Sequence, residues 1–170
     1  LAAGADHRPG ADAVSAPAFP GRLLGVDYGL RVLGLAVSDP TGLIARPLDL
    51  LRRTSKTEDF AYIAQIIAEQ QAVGAVVGLP LSPPEVTGYT QADRVRLWAS
   101  RLAAAIPVPV YLWDERYSSQ DAAELLDATG QEQPDRIDAF AAAVILQSFL
   151  EARREGLPWP EPVAPADESD

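Results

Sequence analysis

The hydrophobic pattern changes character once along the chain, and that change sets the architecture. Arg22–Tyr28 is a near-continuous apolar run, the signature of a strand buried on both faces. Gly29-Leu30-Arg31 reads as a turn and Leu33–Ser38 as a second strand. Asp39-Pro40-Thr41-Gly42 is a turn with a mechanism, since proline presets one dihedral and glycine permits another. Leu43–Leu51 follows as a third strand, and its Pro47 suits an edge position. Three strands joined this tightly form an antiparallel meander.

The period then lengthens. Ser55-Lys56-Thr57-Glu58 has the form of a capping box, and Phe60, Ile63, Ala64 and Ile67 keep helical spacing up to Gly74. Ala75–Leu79 is a short buried strand closed by Pro80. A loop from Leu81 to Gly88 precedes a helix with Val95, Trp98, Ala99, Leu102 and Ile106 on one stripe. Val108–Trp113 is the last strand, Ser118-Ser119-Gln120-Asp121 caps a helix ending near Gly130, and Asp138–Arg154 is the final helix. The expectation is an α/β fold with a five-stranded mixed sheet. It joins a three-strand antiparallel meander to two parallel strands, with helices on both faces. Residues 1–20 are expected to be a disordered tail, 21–156 one globular domain, and 157–170 an acidic Pro-rich tail.

Composition narrows the chemistry. Apolar residues make up 48% of the 170, which suits a chain with a real core. The absence of cysteine removes disulfides, thiolate metal sites and a cysteine nucleophile, and suits a reducing, cytoplasmic setting. The single histidine, His7, lies in a Gly/Ala/Pro/Asp segment, a poor place for catalysis or zinc. No apolar run reaches membrane-spanning length, and residues 1–20 lack the form of a signal peptide. The net charge of -10 argues at first against nucleic acid, but within 21–156 the balance is 13 bases against 18 acids. Arg46, Arg52, Arg53 and Lys56 form one basic group and Arg94, Arg96 and Arg101 another, so charge alone decides nothing.

Three acids sit in unusual places. Asp27 and Glu115 end apolar strand-like runs, and Asp138 opens an Ala-rich helix. Carboxylates so placed are costly to desolvate unless something positive holds them, and a shared divalent metal site is the economical account. Each acid also has a plain structural reading. Asp27 is equally a turn residue, Glu115 equally a surface partner for Arg116 or Arg31, and Asp138 equally a helix N-terminal acid.

This order of elements, with Val26-Asp27-Tyr28-Gly29, Gly34-Leu35-Ala36-Val37-Ser38-Asp39, Val76-Val77-Gly78-Leu79-Pro80, Asp114-Glu115-Arg116 and Ile137-Asp138-Ala139-Phe140-Ala141-Ala142, resembles the YqgF family. Those proteins are related to the RuvC Holliday-junction resolvases. The resemblance covers about residues 22–152 and implies a ribonuclease H-like fold. It implies a nuclease dependent on Mg2+ or Mn2+, with a two-metal site held by Asp27, Glu115 and Asp138. The implied role is maturation of the 5′ end of the 16S ribosomal RNA precursor, with branched-DNA cleavage as the alternative. Arg31, Arg116, Tyr28 and Ser118 are then candidates for contacting nucleic acid. A homodimer would favour the junction substrate, because two symmetric sites are needed there. The chain departs from the family pattern in having Val32 after Arg31, Ser82-Pro83-Pro84-Glu85 after Gly-Leu-Pro, and the nearly neutral Gln131–Arg136 before Asp138.

Two other classes stay open at this point. An actin- or sugar-kinase-type phosphotransferase shares such a core but needs two domains around its nucleotide. A non-catalytic RNA- or ribosome-binding module would keep the fold and tolerate Asp27→Asn.

Overall fold

In the computed structural model, residues 19–80, 87–115 and 137–167 are described. Among them five strands form one sheet: β1 (Leu23–Asp27), β2 (Val32–Ser38), β3 (Ala45–Arg52), β4 (Gly74–Leu79) and β5 (Val110–Asp114). The strand order is β3-β2-β1-β4-β5, with β1–β2 and β2–β3 antiparallel and β1–β4 and β4–β5 parallel. The helices are α1 (Lys56–Gln70), α2 (Gln91–Ala105) and α3 (Ile137–Arg154). This is the mixed ribonuclease H-like sheet expected from the sequence. The helix expected from Ser118 to Gly130 and most of the 81–88 loop lie outside the described residues.

Element ends differ from the sequence pattern for identifiable reasons. Strand β3 starts at Ala45 rather than Leu43 because the Asp39 carboxylate accepts the Leu43 and Ile44 N–H groups, both at 2.8 Å, and so prolongs the turn. Desolvation by partial burial is outweighed by the Thr41 hydroxyl, which donates to the same carboxylate, then by those bonds and one from the Thr41 N–H, and the carboxyl is held at about 2. Strand β5 starts at Val110 because Pro107 and Pro109 have no N–H to give to a ladder. Helix α1 stops at Gln70, where Gln71 turns left-handed (φ 55°) and Ala72 N–H returns to the Ile67 carbonyl. Ser55 caps α1 through the Glu58 N–H, but Glu58 takes the Thr54 hydroxyl instead of closing a box. The reciprocal box is at α2, between Thr90 and Asp93, where the sequence reading placed none.

Strand alternation sorts side chains onto two faces. Leu24, Val26, Leu33 and Leu35 point toward α1 and α2, meeting Ile63, Ile67, Trp98 and Leu102. Leu23, Ala36, Val76 and Trp113 point toward α3, meeting Ala142, Ala143, Leu146 and Phe149. Buried Gln147 fixes the rotation of α3 by accepting the Ala45 N–H (2.8 Å) and donating to the Leu43 carbonyl (3.2 Å). The C-terminal segment is attached to the domain as far as it is described. Val163 donates its N–H to Val110 and Ala166 to Ser100, while Trp159 stacks on Phe19, Tyr111 and Phe149. No described helix is long and apolar enough to cross a membrane.

Candidate functional site

Asp27 is the last residue of β1, and its Cα partner on β2 is Gly34. A Cβ built on Gly34 would lie 1.9 Å from the backbone oxygen of Asp138. Only glycine therefore lets the first turn of α3 descend onto the sheet beside Asp27. That is how two acids 111 positions apart along the chain become neighbours. Gly25, one alternation earlier on the same face, admits α3 in the same way, with Leu146 Cβ 2.9 Å from where its own Cβ would stand.

Glu115 arrives from the other side. It follows β5, and β4 lies between β5 and β1. The pairing of Val26 with Val77 sets Gly78 level with Asp27, and a Cβ on Gly78 would stand 3.2 Å from Glu115 Oε1. The bare backbone at Gly78 is what lets the Glu115 side chain lie across β4 toward Asp27. Asp27 and Glu115 share a cleft of about 420 Å³ whose other walls are Ala141, Val144 and Ile145 of α3.

Electrostatics ties the third acid to this pair. Burial, then the charges of Glu115 and Asp138, push the Asp27 carboxyl up to about 6. Burial and the adjacent Asp114 also raise Glu115. Asp138 is exposed in the first turn of α3. Among the described residues, no hydrogen-bond donor or cationic side chain meets the Asp27 carboxylate. Asp27 and Glu115 in one apolar-walled cleft, with the Asp138 charge near enough to act on Asp27, are oxygen donors of the kind a hard divalent cation takes. At the present separations, the described residues contain no group of three ligands close enough to hold one ion. The acids converge without touching.

The other expected contact residues are placed unevenly. Arg31 is exposed in the β1–β2 turn, near the Asp27 end of the sheet. Tyr28 faces away from Asp27. Its ring packs edge-on against Trp98 (5.2 Å between centroids) and beneath the Arg53 guanidinium (4.9 Å), a setting of packing rather than of base stacking. Arg116 and Ser118 lie outside the described residues. Sequence reasoning missed Arg53 and Asp59. Arg53 donates to the Gly29 carbonyl (3.0 Å) and to Asp59 (3.3 Å), beside the turn that follows Asp27. The available signal was Asp59 itself, an acid on the buried stripe of α1 with Ile63 and Ile67.

The sheet order and the helices packed on its two faces define a ribonuclease H-like fold. The solved structure of Thermus thermophilus RuvC bound to a Holliday junction substrate superposes with a TM-score of 0.60 at 20% identity, covering 83% of this chain and 99% of that one. A second Thermus thermophilus RuvC structure gives 0.57 at 17%, with 82% and 99% covered. A family model described as "RuvX: Holliday junction resolvase" matches residues 21–152, and the chain belongs to that family, the YqgF proteins of the sequence resemblance. A relative from Anaeromyxobacter dehalogenans (strain 2CP-1 / ATCC BAA-258) is 44% identical over 135 residues, 78% of this chain and 98% of its own. One from Koribacter versatilis (strain Ellin345) is 35% identical over 150 residues, 86% and 96%. Both carry the name "Putative pre-16S rRNA nuclease".

Proposed function

We propose that this chain is a divalent-metal-dependent endonuclease that trims the 5′ end of the 16S ribosomal RNA precursor in the cytoplasm. The observation that carries the reading is the meeting of Asp27 and Glu115 in one cleft, beside the first turn of α3 that bears Asp138, with no cation of the described chain paired to Asp27. Asp27, Glu115 and Asp138 would hold Mg2+ or Mn2+, as one or two ions. Bound there, such ions supply an acidified water and stabilise the charge that develops on a phosphodiester undergoing in-line attack.

The chain's own residues do the rest. Asp27 and Glu115 offer oxygens from one cleft, and the first turn of α3 carries Asp138. Ala141, Val144 and Ile145 line that cleft with apolar surface, which lowers the local polarity and strengthens each charge interaction inside it. An ion is also needed on plain electrostatic grounds, because three anions would otherwise repel the phosphates they must approach.

A branched-DNA resolvase is the second reading, favoured by the description of the matching family model. The test is a side-by-side cleavage assay on a 16S precursor 5′-leader mimic, an unrelated single-stranded RNA and a four-way junction, with Mg2+, Mn2+ or chelator. The proposal predicts metal-dependent cleavage of the leader mimic ahead of the junction, falling with salt as phosphate contacts are screened. Preferential junction cleavage by a dimer, seen by sedimentation, would transfer the assignment to DNA. Cleavage that survives removal of all divalent ions would refute both readings. An unchanged function in Asp27→Asn would leave a non-catalytic RNA- or ribosome-binding module.

A further inference from the structure

The turn that carries the chain away from Asp27 is held from outside the site. Arg53, just past the end of β3, is 15% exposed in its side chain, and its partner Asp59 in α1 only 2%. The guanidinium has two arms in use: Nε donates to Asp59 Oδ2 (3.3 Å) and Nη1 to the Gly29 carbonyl (3.0 Å). Its plane covers the Tyr28 ring at 4.9 Å, and its backbone N–H donates to the Arg31 carbonyl at 2.9 Å. Asp59 is itself fixed, since its other oxygen accepts the Thr54 N–H at 3.1 Å. Three of the four residues that follow Asp27 (Tyr28, Gly29 and Arg31) are therefore gripped by one arginine.

We infer that Arg53, locked by Asp59, is a positioning residue that fixes the Tyr28–Arg31 turn and thereby the direction in which Asp27 presents its carboxylate to a divalent cation. The inference rests on the functional reading above. Arg53 acts through the backbone rather than by its own field, because the charges felt by Asp27 are those of Glu115 and Asp138. Gly29 cannot be braced by packing. A Cβ there would lie 2.3 Å from the Val32 carbonyl oxygen, so a side chain is excluded and a hydrogen bond to the main chain is the available hold. Lysine cannot replace this arrangement, since a single ammonium lacks the planar fork that reaches an acid and a carbonyl together.

The experiment is direct Mn2+ titration by calorimetry of the full chain, comparing wild type with Arg53→Lys, Asp59→Asn and Tyr62→Phe, all below their melting temperatures. Tyr62→Phe removes the Tyr62–Asp49 hydrogen bond, which ties the same two elements, α1 and β3, away from the turn. The inference predicts that Arg53→Lys and Asp59→Asn weaken Mn2+ binding by about tenfold, the scale typical of groups that orient a metal ligand. Tyr62→Phe is expected to lower the melting temperature while changing Mn2+ affinity less than about twofold. Equal Mn2+ affinity in wild type and Arg53→Lys would overturn the inference and leave the nuclease reading intact. Failure of wild type to bind Mn2+ would remove that reading and the inference with it.

Discussion

The two faces of the sheet are built from different materials. Toward α1 and α2 the strands present leucine and valine, and the helices answer with Ile63, Ile67, Trp98 and Leu102. Toward α3 the strands present Gly25, Gly34 and Gly78 where the helix passes, and the helix answers with Ala139, Ala142 and Ala143. Large side chains keep a helix at arm's length and bury much apolar area, about 25 cal/mol per Å². Small ones bury less but let backbone meet backbone. The first face is filled by large side chains on strands and helices alike. The second brings a helix N-terminus and two strand ends close enough for Asp27 to feel the charges of Glu115 and Asp138. Division of labour between faces is the lesson, and each half of it can be broken separately.

The largest expected effect is at the closest approach. Gly34→Val would force Asp138 and the first turn of α3 off the sheet. We expect a loss of about 3 kcal/mol or more in denaturant unfolding, the upper end for overpacking, together with loss of Mn2+ binding. On the opposite face, Leu102→Ala should cost a similar or slightly smaller amount, about 2–4 kcal/mol, from cavity formation alone. The comparison sharpens because Leu102→Ala should leave Mn2+ affinity unchanged at temperatures where the protein is folded. Equal loss of metal binding in both variants would show that the faces are not independent.

Smaller effects concern charge. Asp27→Asn should abolish cleavage, by about a thousandfold or more, yet raise metal-free stability by about 1–2 kcal/mol once solvent screening is allowed for. The sign follows from linkage. Asp27 is raised in the fold from 3.8 to about 6, so the native state holds its proton more tightly than the unfolded chain does. Its destabilising contribution is full above pH 6, shrinks as pH falls and vanishes below about 4. The stability difference between Asp27→Asn and wild type, measured by urea unfolding without metal, should therefore narrow between pH 7 and pH 5. A difference that is flat or widens over that range would contradict the raised carboxyl. With Mn2+ present the wild-type trend should reverse, since protons then compete with the ion.

Much of this was legible in the sequence. The meander followed by alternating helix and strand follows from periodicity, and the trio of acids was picked out by position at strand and helix ends. The glycines were the harder part. Gly34 and Gly78 look like ordinary weak spots in strands, and their role depends on register, which decides that one lies beneath Asp138 and the other beneath Glu115. Arg53 read as one member of a basic cluster because its partner Asp59 is six residues on, in another element. Tyr28 read as a residue near the site because sequence adjacency to Asp27 hides the alternation that turns it to the opposite face. The segment beyond 156 read as a tail because its contacts, through Trp159 and Val163, carry no period.

The central claim is that Asp27, Glu115 and Asp138 serve a common cation site. Crystals soaked in Mn2+ and measured at the manganese absorption edge test it most directly, because anomalous scattering locates the ion without reference to activity. The account predicts a peak bounded by oxygens of Asp27, Glu115 and Asp138. A peak elsewhere, or none between these three side chains at saturating Mn2+, would contradict it.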